Sequence, residues 1–142
     1  MCLITKNAIP LTAKDDIVCY KVLAKYGGAY KTPFKLMHVD DDIIEGKKNL
    51  VAEGMEDIRG WTVCGLRRPS RYEINGGFIH CYTDHESAIE RADFSVPKYE
   101  PFVEMFVFEC IIPKGTTYYE GNSWDICAKE IKFVKEVYSI TI

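Results

Sequence analysis

A glutamate opens a strand-like run near the end of the chain, Lys129-Glu130-Ile131-Lys132-Phe133. Beside flat aromatic rings and a helix N-terminus, a carboxylate suits a ligand that offers a ribose to hydrogen-bond and a base to stack. The chain supplies such partners. Tyr20 and Lys21 lie in an early β-branched run. His80, Tyr82 and Thr83 lie where a strand runs into a helix. Tyr118 and Tyr119 follow a Pro-x-Gly turn. In this reading Glu130, Tyr20, Lys21, His80, Tyr82, Thr83, Tyr118 and Tyr119 line the ligand site. The competing account is that a glutamate starting a strand simply faces solvent.

Other clusters carry less. Loss of Met1 would leave Cys2 as nucleophile and base in one residue, but Leu3 stands where glutamine-hydrolysing amidotransferases carry Gly. "HCYTDH" gathers His80, Cys81, Asp84 and His85. A strand-to-helix junction splays these side chains, and no second ligand pair has zinc spacing, so no metal site is expected. The basic run "RRPSR" reads as a solvated loop in a chain of net charge −3.

The elements that must position these residues are mostly strands. "DIVCYKVL" (16–23), "GWTVCGL" (60–66), "GGFIHCYT" (76–83) and "FVEMFVFECII" (102–112) are apolar or β-branched runs. The last has Phe106, Phe108, Cys110 and Ile112 on one face and Met105, Val107 and Ile111 with Glu109 on the other, as a central strand requires. "RRPSRYEINGG" reads as a turn-rich connection, the stretch from Lys35 to Gly60 as short strands and loops, and "YYEGNSWDIC" as irregular. "AKEIKFV" and "VYSITI" read as two final strands. Thr83-x-x-Glu86 matches a capping box for a helix with Ala88, Ile89 and Ala92 on one face. "IPKGT" suits a type I turn with Pro113 second and Gly115 fourth. The pattern predicts an α+β fold: one compact, mostly-β domain over residues 1–142, with one clear helix packed on the sheet.

Composition narrows the class. Hydrophobic residues make up 47% and charged residues 27%, ordinary for a globular domain. The acidic balance argues against a nucleic-acid partner. No apolar run is long enough to span a bilayer, and the first residues do not form a signal peptide, so the expected setting is cytoplasmic, without membrane partners.

The order "IVCYKVL", "GGFIHCYTDHESAIERA", "FECIIPKGTTYY", "AKEIKF" resembles the ADP-ribosyltransferase fold family over roughly residues 16–142. The resemblance implies that Lys21 stands at the family's Arg position, that His80 to Thr83 grip the nucleotide, and that Glu130 is the catalytic carboxylate. NAD is then a ligand and not a permanently bound cofactor. In such a site Glu130 would hold the ribose 2′-hydroxyl and stabilise a cation-like transition state. Tyr82 and Tyr119 would stack the ring, and Lys21 would neutralise phosphate. The pattern departs from the family at three points. Lysine lacks the bidentate fork of arginine, no Ser-Thr-Ser is present, and Ala128 stands where arginine-modifying members carry Glu or Gln. The chain is also similar to small proteins of gut bacteria and their phages that open with Met-Cys-Leu and contain Cys-Ile-Ile-Pro-Lys-Gly-Thr, a likeness that brings no activity with it.

The implied function is an NAD- or ADP-ribose-like nucleotide-binding domain with weak or lost transferase activity. The alternative is a non-catalytic phage or bacterial interaction protein that binds a host protein or sequesters a nucleotide. The six cysteines are widely spaced with no C-x-x-C pair. In a reducing compartment they stay thiols. Thiol titration of the unfolded, unreduced chain is expected to count all six as free, and a count of four or fewer would overturn the compartment assignment.

Overall fold

The structure is a computed structural model that describes residues 3–5, 9–26, 28–32, 38–61, 71–95 and 104–141. Cys2, Cys64, "RRPS" and the 62–66 part of the expected strand at 60–66 lie outside the described residues.

Alternating apolar residues build two long central strands. β3 (Ile17–Tyr26) and β10 (Glu104–Ile112) pair antiparallel over their whole overlap, with Cys19 opposite Cys110 and Lys21 opposite Phe108. β13 (Glu130–Thr141) flanks β10 on its other side and is one continuous strand of 12 residues, not two. Register shifts between Val107 and Phe108 and between Glu109 and Cys110 mark bulges in this pairing. Bulges break the two-residue alternation, which is why the segment reads as two strands in sequence. β6 (Leu50–Val51) pairs the start of β13. On the far side of β3 come β9 (Ile79–Tyr82), then β12 (Asp125–Ala128), β11 (Thr117–Glu120) and β2 (Leu11–Thr12). β4 (Ala29–Lys31) pairs β3, and β5 (His38–Val39) pairs β4.

This large sheet is rolled. β12 and β13 are joined by Lys129 alone, yet β9, β3 and β10 lie between them in the sheet. In a flat sheet those two strands would stand about 19 Å apart, whereas two residues of extended chain reach only about 7 Å. The two flanks therefore curl toward each other. The Lys129 backbone clips them together: its N–H donates to the Thr117 carbonyl at 3.1 Å and its carbonyl accepts from Ala52 N–H at 2.8 Å. The concave side is filled by Cys19, Leu23, Cys81, Phe106, Phe108, Cys110, Ile112, Ile126, Ile131 and Phe133.

The convex side is covered in two places. A helix, α2 (His85–Ser95), lays Ala88 and Ala92 on Val22, Ala24, Met105 and Val107. Asp84 caps it, its Oδ2 accepting from Ser87 N–H at 3.1 Å, so the cap lies one residue beyond Thr83. A second sheet of β1 (Leu3–Thr5), β8 (Arg71–Gly76) and β7 (Asp57–Trp61) supplies Leu3 and Ile74 to a cluster with Phe78, Tyr119 and Cys127. Gly77 turns the chain from β8 to β9 at φ +80°, where a Cβ would lie 2.7 Å from the Glu56 Cα.

The α+β expectation with one clear helix is corrected. Strands hold 58% of the described residues, and the helices are short: α2 has 11 residues and α1 (Asp41–Ile44) has 4. The class is mostly β, built on a large antiparallel sheet. Three local readings change with it. Residues 71–76 are strand β8, not connection. "YYEGNSWDIC" contains the β11–β12 hairpin. The turn after β10 runs from Pro113 to Thr116, with Gly115 third at φ +90°, as a type II turn requires.

Phe108 is 3% exposed and lies edge-on to Tyr30 and Phe133. Phe108→Ala should cost about 3–5 kcal/mol in urea denaturation, while Val134→Ala, at an exposed position, should change stability by less than about 0.5 kcal/mol.

Candidate functional site

Tyr20 and Tyr82 stand directly opposite each other across β3 and β9. Both are half-buried on the convex face, at the edge of the α2 cluster. His85, the first residue of α2, meets Tyr20 edge-on, with ring centroids 5.7 Å apart at 72°. The row continues on both sides. Asp125 on β12 is opposite Tyr82, and Glu109 on β10 is opposite Tyr20, with Lys135 of β13 beyond it. These side chains share the convex face because their sequence neighbours Ile126, Cys81, Cys19 and Cys110 point to the concave side.

The two carboxylates differ. Asp125 Oδ1 accepts from Ser123 N–H at 3.2 Å, and burial raises its pKa. Glu109 is half-buried, and among the described residues it forms no ion pair, even with Lys135 across the ladder. Trp124, in the loop before β12, is 70% exposed at φ +54°. Its carbonyl accepts from Thr83 N–H at 2.8 Å, which ties this loop to the start of α2. A bulky residue in the left-handed region is strained, and such strain is held only where surrounding contacts over-determine it.

Lys21 is turned the other way. It is 8% exposed on the concave side, and its Nζ donates to the His80 carbonyl at 2.9 Å. Burial lowers its pKa. Cys19, Cys81 and Cys110 share that interior. Interaction between the Cys19 and Cys81 thiols raises the first's pKa and lowers the second's. Lys21 thus serves the β3–β9 junction, where Tyr20–Tyr82 is the one register pair, by satisfying a β9 carbonyl. It does not share a face with Tyr20.

The other expected residues fall elsewhere. Thr83 is exposed, and His80 is half-buried opposite Cys127. Tyr118 is opposite Ala128 and packs on the concave cluster. Tyr119 is 7% exposed beneath the small sheet, edge-on to Phe78 at 5.2 Å. Glu130 accepts from Asn49 Nδ2 at 2.6 Å and pairs with Val51. Tyr20 is level with Glu109 and hence Lys135, so Glu130 lies about 16 Å further along β13. The structure brings Tyr20 and Tyr82 together and keeps Lys21 and Glu130 apart from them. Of the residues this row adds, Glu109 alone carries a sequence signal, as the one charge within the apolar run from Met105 to Ile112. Among the described residues no three His, Cys, Asp or Glu side chains group as metal ligands, and no helix is long and apolar enough to cross a membrane.

Comparison with known proteins adds no assignment: no family model, no curated protein and no solved structure matches the chain.

The buried thiols make a pH prediction. Burial raises the Cys110 pKa well above its usual value and pushes that of Cys127 up from 9.0 to about 12. Such groups keep their protons in the folded chain after the unfolded chain has lost them. Their contribution is full below pH 9.0 and is lost as pH rises toward 12. In Cys127→Ala the fall of stability over that window should be shallower than in the parent, measured by denaturation at stepped pH. Equal slopes would refute the assignment.

Proposed function

We propose that this chain is a non-catalytic binding module that stacks a planar, nucleotide-like ring on the Tyr20–Tyr82 platform. The observation that carries the reading is the directly opposed, half-exposed tyrosine pair braced by His85 at the start of α2. Ring stacking on tyrosine contributes about 1–3 kcal/mol per base and needs no base-specific hydrogen bond. The same geometry supports a reading without turnover. The Lys21 ammonium is committed to the His80 carbonyl, and Glu130 to Asn49. Of the residues expected to do transfer chemistry, neither Lys21 nor Glu130 reaches the platform.

A second reading has its own support. Val18 is 51% and Val134 47% exposed. Val18 is level with Ile111, and Val134 lies at the bulge beside it, on the same convex strip as Tyr20. An exposed apolar strip suits a protein partner, in which case the tyrosines are contact residues.

Titration with adenosine, ADP-ribose and NAD separates the two. Tyr20→Ala should weaken ring binding at least about fivefold, Glu130→Gln should leave it unchanged, and NAD should not be hydrolysed. Unchanged affinity in Tyr20→Ala would remove the platform and leave the protein-partner reading.

A further inference from the structure

The tip of the β11–β12 hairpin holds out an aromatic ring in a backbone conformation that costs energy. Trp124 is 70% exposed at φ +54°. Among the described residues its ring meets no other ring and no cation. The backbone around it is nonetheless tightly held. Gly121 N–H donates to the Asp125 carbonyl at 2.9 Å, and Asn122 N–H to the Ile4 carbonyl at 2.9 Å. Ser123 N–H is held by Asp125 Oδ1, and the Trp124 carbonyl by Thr83 N–H. A Cβ on Gly121 would collide with the Asp125 carboxylate. Asparagine or glycine would take the left-handed position of Trp124 at less cost. The chain thus bears strain for a side chain that gives the fold no ring contact. Two more apolar side chains lie at this tip. Ile4 is 37% exposed, and its carbonyl is the one that Asn122 binds. Ile9 is 58% exposed and stands two residues before Leu11, whose partner on β11 is Tyr118. Two extended residues span about 7 Å, which carries Ile9 from that pair toward the tip. Single exposed apolar side chains are ordinary, but several together mark an interaction surface. The charges beside them have one sign. The described segments that join here are 3–5, 9–12, 83–86 and 120–125, and their charged residues are Asp84, Glu86, Glu120 and Asp125.

We propose that the β11–β12 tip, with Trp124 as its anchor, is a docking site for a basic amphipathic helix of another protein. Such a helix supplies both complements in one short element: an apolar stripe to cover Trp124, Ile4 and Ile9, and lysine or arginine along the borders of the stripe. Its bases face the acidic margin, which sets the sign of the partner and speeds encounter more than it adds affinity. The same margin repels anionic lipid and nucleic acid. A tryptophan on a pinned loop has little freedom left to lose on binding, which favours affinity. The proposal is independent of the Tyr20–Tyr82 platform and of the strip at Val18 and Val134.

The probe is a short helical peptide of leucine and lysine, patterned to give one apolar face, with a leucine–glutamate peptide of the same pattern as its control. Each is titrated calorimetrically into the full chain at neutral pH while tryptophan emission is followed. The lysine peptide should bind and shift the emission to the blue, and high salt should weaken it. The glutamate peptide should not bind. Trp124→Asn should weaken lysine-peptide binding at least about tenfold. Asparagine tolerates the left-handed backbone, so the fold should be kept, as circular dichroism will report. Met55→Ser removes a side chain that is 89% exposed elsewhere on the surface, and it should leave binding unchanged. Equal binding by Trp124→Asn and the parent would overturn the proposal, as would an equal loss in Met55→Ser. Two other results would overturn it in favour of a different occupant. Trp124-dependent binding of phosphatidylcholine vesicles, with no peptide bound, would assign the tip to a lipid surface. A dimer in sedimentation that Trp124→Asn dissolves would assign it to a second copy of the chain.

Discussion

Lys129 joins two strands that lie on opposite flanks of one sheet, and a single residue cannot cross a flat one. The roll of the sheet follows from this joint. So does the division of its side chains into a concave set, which fills the core, and a convex set, which needs separate cover. The side chain of Lys129 secures the same point. Its Nζ lies 3.0 Å from the Gly77 carbonyl, 2.6 Å from Glu56 Oε1 and 4.3 Å from the Phe78 ring centroid. Gly77 and Phe78 belong to the connection between the small sheet and β9, so one residue ties the roll and its outer cover together. Glu56 is largely exposed, and its ion pair alone contributes little. The carbonyl and ring contacts give the joint its definition.

Among the described residues, cover on the convex side is incomplete. An 11-residue helix extends about 16 Å. It shields the level of Val22 and Val107, and its first residue lies at Tyr20. Below that line Val18 and Val134 are exposed. The platform is thus the boundary between a covered and an uncovered sheet face, where an aromatic ring is half in contact with the core and half with solvent. At the same level the β3–β9 ladder is shortest, and Lys21 works from inside to hold it. A ligand on the outer face would bind across the junction that an interior ammonium secures.

Parts of this were legible from residue order and parts were not. The alternation of Phe106, Phe108, Cys110 and Ile112 marks β10 plainly, and the spacing of Ala88 and Ala92 marks the helix face. β8 was hidden because "RYEING" looks polar and turn-like. Ile74 is buried only when β1, far upstream, pairs beside it. The β11–β12 hairpin was hidden because its loop contains Trp124 in a conformation its residue type does not advertise. For the site, Tyr20 and Tyr82 were nameable as rings, but their opposition depends on register, which composition does not encode. The grouping of Tyr20 with Lys21 conflicted with a rule the residues themselves supply, since adjacent strand positions point to opposite faces.

The bulges of β13 have a meaning beyond local geometry. On its outer side this strand is paired only at Glu130 and Ile131, and Gly46 lies against the Phe133 carbonyl, so among the described residues Val134 to Thr141 have no strand partner on that side. A straight edge of that length, carrying Val134, Val137 and Ile140, would be a template on which further chains could add strand by strand. Displaced by two irregularities and set with Lys135 and Glu136, it offers incoming backbone no continuous run of matched donors and acceptors. Colloidal behaviour at high concentration therefore depends on a few extra residues in one strand. Deletions that restored its alternation would trade solubility for fibre growth, even if they improved the pairing inside the monomer.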